Sequence, residues 1–278
     1  MRSIFCTLTI ICLTTATNAD DADEFIRQAQ SALKKGDAAA ALEAANKAVA
    51  ADPKSPDAVF TRGEVYAAQR KHAEAIEDYD AALALNKTFY LAIDRRGGER
   101  FKLGQIDESL ADFNAYLKAV PKAEPAHWRR GIAFYYAGKY AEGAKQFFDG
   151  QGDFGADVEN VFWHFLCNAR KDGIDKARNS LLPLKGPDSR VTMMRTNDML
   201  HGKATPEEVV KTAEEAKLAG DPKNEAMFYA HLYVGLYYEA AGDAAKTREH
   251  LTAAVEKHKI GHYMWDVANV HLGRMKKK

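Results

Sequence analysis

Gly63, Gly97 and Gly131 stand 34 residues apart, and each follows an arginine (Arg62, Arg96, Arg130). The same ruler aligns Ala41 with Ala75, Ala48 with Ala82, and Tyr79 with Phe113 and Phe147, while Pro53 and Pro121 lie two periods apart. Gly36, Gly104 and Gly138 fall in register as well. A period of this length marks a chain built from one supersecondary unit stacked on the next. It constrains the fold more than any single motif, because one such unit cannot bury its apolar face and must draw stability from its neighbours.

The residue types say what the unit is. The chain has 48 alanines among 278 residues, and Ala is the best helix former and is depleted in strands. A glycine on a first helix lets a second helix approach closely, and Ala41, Ala75, Ala48 and Ala82 do the same from the other side. Tyr66, Tyr79, Phe113 and Phe147 fill the space between units, and Pro53 and Pro121 follow helices they cannot continue. This Gly-Tyr-Ala-Phe-Ala-Pro pattern resembles the tetratricopeptide repeat (TPR). The resemblance implies an all-α helix-hairpin solenoid wound as a right-handed superhelix. Units are expected at about 22–55, 56–89, 90–123 and 124–150, the first with Ala29 in place of its glycine and the third with Tyr116 in place of an alanine.

Gly150, Gly152 and Gly155 interrupt this pattern and predict a bend there, with the main internal boundary closing an N-terminal array over 20–150. The remainder, 156–278, reads as degenerate helical pairs over 157–170, 174–182 and 193–200, then a helix opened by a capping box at Thr205, Pro206 and Glu208. A regular unit returns at about 228–261 with Gly235, Tyr238, Gly242 and Ala254 in the matching places, and a last helix, 263–274, is expected to cap the stack.

The first nineteen residues read as an export signal. Arg2 supplies a positive charge, Ile4 to Leu13 form an apolar run too short to span a bilayer, and Thr17 and Ala19 are the small residues that favour cleavage after Ala19. Cys6 and Cys12 leave with it, so the mature chain keeps one thiol, Cys167, and no disulfide framework. A lipid anchor at Cys12 is disfavoured, because bulky Ile11 stands where a small residue is needed. The expected location is the periplasm or the exterior, without membrane anchoring.

Lys and Arg total 39 against 39 Asp and Glu, a balance that gives no electrostatic reason to expect nucleic acid as a partner. Arg62 and Asp78, like Arg96 and Asp112, are 16 residues apart and read as ion pairs between packed helices. One turn off the packing face of the first helices lie Phe60, Arg95, Trp128, Arg129, Tyr135 and Tyr136. Arginine beside aromatics is a composition favoured at binding hot spots, so these six form the candidate partner-binding groove. The carboxylate clamp of chaperone-tail receptors is not reproduced: its places fall at Ile26, Gln30, Thr61, Leu91 and Arg95, and only Arg95 suits. His250, His258 and His262 are the densest histidine group, but Gly261 interrupts their helix and no HExxH pattern is present, so no metal, cofactor or catalytic residue is assigned. Cys167 lies near His164 on an apolar helix and reads as a buried thiol.

An export signal, four N-terminal units, an irregular helical middle and the closing run from Phe228 to Leu272 together resemble the bacterial NlpI-type TPR lipoproteins. That resemblance implies a non-enzymatic periplasmic adaptor that docks cell-wall hydrolases and a protease, and that dimerises. Two rivals follow from the same residues: a structural subunit of an envelope assembly, and an enzyme with a hydrolytic or metal site concealed in 157–227.

Overall fold

The computed structural model describes residues 19–276, so Cys6, Cys12 and the export signal up to Asn18 lie outside the described residues. Every regular element described is helical. The chain divides between Asn86 and Lys87 into two compact units.

The first unit holds two hairpins, α1 (Ala19–Lys34) with α2 (Ala38–Ala51) and α3 (Pro56–Ala68) with α4 (His72–Leu85). The second opens with two more, α5 (Tyr90–Lys102) with α6 (Ile106–Ala119) and α7 (Trp128–Tyr136) with α8 (Tyr140–Asp149). These are the four expected repeats. Then come α9 (Gln151–Phe154), α10 (Val158–Asp172), α11 (Ile174–Asn179), α12 (Met193–Leu200) and α13 (Pro206–Glu215). The closing repeat is α14 (Gly220–Ala240) with α15 (Ala244–Thr252), followed by a turn of π-helix at Ala253–Lys257 and the terminal α16 (Tyr263–Met275). Thr205 and Glu208 form the expected capping box on α13, each side chain accepting the other's backbone N–H.

The 150–155 stretch differs from its expected role. One continuous core runs through the second unit from Phe101 to Val270, and α9 lies within that unit. Helices α8, α9 and α10 break across it, and two of its glycines also sit in close contacts. A Cβ on Gly150 would lie 2.9 Å from the Pro125 carbonyl oxygen, and one on Gly155 would lie 2.8 Å from that of Gln151.

The second, third and fourth hairpins and the closing repeat share one close contact; the first has Ala29 at this place. A Cβ added to Gly63 would meet the Tyr79 ring at 2.8 Å, to Gly97 the Phe113 ring at 2.9 Å, to Gly131 the Phe147 ring at 2.6 Å, and to Gly235 the Leu251 side chain at 2.9 Å. Beside it, Arg62 grips buried Asp78 through Nε and Nη2 at 2.8 and 2.7 Å, and Arg96 grips buried Asp112 at 2.9 and 2.5 Å. In the fourth hairpin Arg130 Nε donates instead to Gln146 at 2.8 Å, a neutral replacement for the carboxylate.

The hairpin turns need a left-handed residue. Gly36, Gly104 and Gly138 supply it at φ of 74°, 76° and 74°, but the third-helix turn has Arg70 there at φ 60°. A side chain in that region costs about 1–2 kcal/mol relative to the right-handed conformation.

Burial governs titration in the second-unit core. It pushes the Cys167 thiol far up and lowers His164 to about 4. His231 on α14 is lowered to about 4 by burial first, then by the charge of neighbouring His250.

Three outcomes follow. Gly131→Ala should destabilise the protein by about 1–3 kcal/mol through overpacking against Phe147, while Arg70→Gly should stabilise it by about 0.5–1 kcal/mol; urea denaturation measures both. The two histidines are neutral in the folded chain and take up protons on unfolding below their ordinary value near 6.5. Their contribution is therefore complete above that pH and is lost as pH falls towards 4, by a few kcal/mol at most after screening. Denaturation midpoints between pH 7 and 4.5 check this, and His164→Gln should flatten the profile.

Candidate partner-binding face

The six groove residues fall into three environments. Phe60 belongs to the first unit, on α3, where its ring packs against Tyr79 at 5.5 Å between centroids. Arg95 and Arg129, on α5 and α7, converge on Asp94. Arg129 Nη2 donates to Asp94 at 2.6 Å and its guanidinium lies 5.6 Å from the Phe113 ring centroid, while Arg95 approaches the same carboxylate at 3.8 Å. His127 completes this node: its Nδ1 accepts the Arg130 N–H at 3.2 Å, which leaves Nε2 to donate to Asp94 at 2.9 Å. Burial works against ionising Asp94, yet the His127 hydrogen bond and the Arg129 charge outweigh it and hold the carboxyl below its ordinary value.

Of the other three, Trp128 is half-buried and lines a cavity, whereas Tyr135 and Tyr136 are not presented to a partner as expected. Tyr135 and Tyr136 are buried, at 4% and 5% exposure. The Tyr135 hydroxyl donates to Glu239, and that of Tyr136 lies 3.2 Å from His271 Nδ1 and 3.4 Å from the Val267 carbonyl. The physical reason is α14 and α10 for Tyr135, which meets Glu239 and Trp163, and α16 for Tyr136. This helix does more than cap the closing repeat: it reaches back along the inner face of α5 and α7. Its Tyr263 stacks on Phe101 at 5.6 Å and meets Trp128 edge-on at 5.2 Å, and its Arg274 lies over the Tyr136 ring. Tyr136 is thus covered by the chain's own α16, which also meets one edge of Trp128.

A cavity of about 190 Å³ remains where α7 and α10 diverge from the start of α16. Trp128, Phe147, Phe154 and Trp163 wall it, and Asp157 and Glu159 stand at its polar side. Both carboxylates, with Asp188, share the single guanidinium of Arg190: Nη2 donates to Asp157 at 2.6 Å and to Asp188 at 2.5 Å, and Nη1 donates to Glu159. Burial raises Glu159 above its usual range, a rise that the Arg190 charge opposes and that of Asp157 reinforces. In the wall, the Asn160 amide donates to the Phe147 carbonyl at 3.0 Å, and its Oδ1 and the Trp163 Nε1 are buried with no hydrogen-bond partner. Sequence reading missed this site, because its walls come from a repeat, the irregular middle and the terminal helix. The closest available signal was the run of acidic and aromatic residues from Phe154 to Trp163.

The histidines regroup. His250 Nδ1 faces His231 Nδ1 at 3.0 Å, His258 stacks on His231 at 5.5 Å, and His262 instead caps α16, accepting the Met264 N–H. Among the described residues no group of three or more His, Cys, Asp or Glu is arranged to hold a metal ion. Within 157–227, the longest helix, α10, is occupied largely by buried core residues, Cys167 and His164 included.

Residues 26–88 and 95–151 match the tetratricopeptide repeat family. Human RNA polymerase II-associated protein 3 is 33% identical over 89 residues, which are 32% of this chain and 13% of that protein. The chain therefore spans about an eighth of that relative's length. A crystal structure of a tetratricopeptide repeat protein from Parabacteroides merdae superposes with a TM-score of 0.60 at 17% identity, covering 92% of this chain and 99% of that one. YrrB, described as a TPR protein with an unusual peptide-binding site, gives 0.51 at 20% identity over 58% of this chain and 87% of its own. At these identities the likeness is one of fold. With its glycine-closed hairpins in tandem and its repeats matched over both segments, the chain carries tetratricopeptide repeats over residues 26–88 and 95–151 within an all-α helix-hairpin fold.

Proposed function

We propose that the chain is an exported scaffold that holds segments of other proteins and brings envelope enzymes, cell-wall hydrolases or a protease, to their substrates. The observation that carries the binding role is the face of α5 beside Asp94. Tyr90 and Leu91 are exposed there at 38% and 41%, and Arg95 stands one helical turn beyond Leu91. Large apolar groups left in water beside an arginine are the composition of an interface hot spot. The hairpin fold shared with YrrB carries a peptide-binding site in that protein, which supports the same use here. Export rests on the charged start, the short apolar run and the small residues before Asp20.

Two measurements test this reading. Alkaline phosphatase fused after Lys34 should be active in bacterial cells, and the mature protein should have lost Met1–Ala19 by mass; an inactive fusion and an uncut chain overturn export. Chain 20–278 with Leu91→Asp and Arg95→Ala should melt within a few degrees of the parent and yet lose the partners that the parent captures from envelope extract. Equal capture by the double variant overturns the α5 face.

A further inference from the structure

The cavity between α7, α10 and the start of α16 has a chemistry of its own. Its walls combine two indole rings and two phenyl rings with the carboxylates of Asp157 and Glu159, and no lysine or arginine lines it. Among the described residues the cation paired with these acids is Arg190, divided among three carboxylates, so that cluster keeps a formal charge of about −2 when all are ionised. Lys185 lies beside Gly155 and donates to the Gln151 carbonyl, and His262 lines the cavity. Aromatic faces attract a cation through their quadrupole, indole most strongly, and the attraction grows as water is excluded. Two wall residues also hold polar atoms that lack partners: the Asn160 Oδ1, an acceptor at 5% residue exposure, and the Trp163 Nε1, a donor at 2%. Unpaired buried groups of this kind are rare in folded proteins and cost free energy until something supplies their bond. An occupant that suits the aromatic and acidic wall carries a positive charge and N–H donors.

We propose that this cavity seats the lysine or arginine side chain of an extended segment of a partner protein. The cationic head lies beside the indole of Trp128 and towards Asp157 and Glu159, and its N–H groups serve the acidic side. The partner segment is therefore basic, the opposite of what the Arg95–Arg129 node on α5 and α7 would select. This inference rests on the scaffold reading and adds the chemistry of the captured segment.

The test uses the mature chain and an acetylated Gly-Lys-Gly amide, with norleucine and glutamate counterparts and with butylamine. Two of the three tryptophans, Trp128 and Trp163, line the cavity, so indole emission reports occupancy. The lysine peptide should give a saturable change, and the norleucine peptide should bind about tenfold more weakly. Asp157→Asn keeps a good helix N-cap and should weaken the lysine peptide by a similar factor; Trp128→Leu, a second variant at a half-buried position, should do the same. Equal binding of lysine and norleucine peptides, no saturable change, or unaltered affinity in a folded variant overturns the proposal. Butylamine binding as tightly as the peptide overturns the peptide part of it. Partner capture without lysine binding sinks this inference alone, whereas lysine binding without any captured partner sinks the scaffold reading and leaves the cavity's selectivity standing.

Discussion

The fold depends on a distance. In the second, third and fourth hairpins and in the closing repeat a glycine on the first helix faces a large side chain 16 residues later, close enough that a single added carbon would lie 2.6–2.9 Å from it. That contact sets how near the two helices come, and the next residues inherit the geometry. The arginine before Gly63, Gly97 and Gly131 is carried to the residue before the aromatic, which is why Arg62–Asp78 and Arg96–Asp112 pair so consistently. In the fourth hairpin the acid becomes Gln146 and the spacing persists, because a neutral amide still satisfies the Arg130 Nε–H. The close packing is therefore the invariant and the ion pair an accessory to it. The same spacing returns at Gly235 and Leu251 after the irregular middle, with an aliphatic side chain in place of the ring.

Features with a local cause could be read from the chain. Helix hairpins, their turns and the capping box at Thr205 all follow from residues within one period of each other. What escaped reading has a distant cause. Tyr135 and Tyr136 have the amphipathic character of ligand-contacting residues, and nothing near them reveals that residues of α14 and α16, more than a hundred positions later, hold their hydroxyls. The glycines at 150 and 155 look like a hinge in sequence, yet they answer to carbonyl groups pressed against them. Arg70 is invisible for another reason: the turn's geometry is imposed by its neighbours, and the side chain gives no sign of the strained backbone beneath it. The acidic aromatic cavity draws its walls from three separate parts of the chain.

Charge is handled in opposite ways at the two ends of the inner face. Around Asp94, three basic side chains attend one buried carboxylate, and the acid stays ionised. Around Arg190, one guanidinium is divided among three acids, and Glu159 is left harder to ionise. A buried charge cluster with surplus of either sign carries an electrostatic cost that a counter-charge relieves. The two nodes would therefore favour ligands of opposite sign.

The return of α16 to α5 also alters how the second unit must fold. A simple repeat stack is nearly one-dimensional: each unit touches only its neighbours, and structure can start anywhere and spread. Here Tyr263 on the last helix packs on Phe101 of the unit's first helix, so its two ends are joined through a core contact that spans most of its sequence. Closing so long a loop is slow, and its entropy must be offset before the contact can contribute. The second unit thus gives up the graded, piecewise assembly of a solenoid for the cooperativity of a closed domain, in which a ribosome must finish the last helix before the first is fully covered.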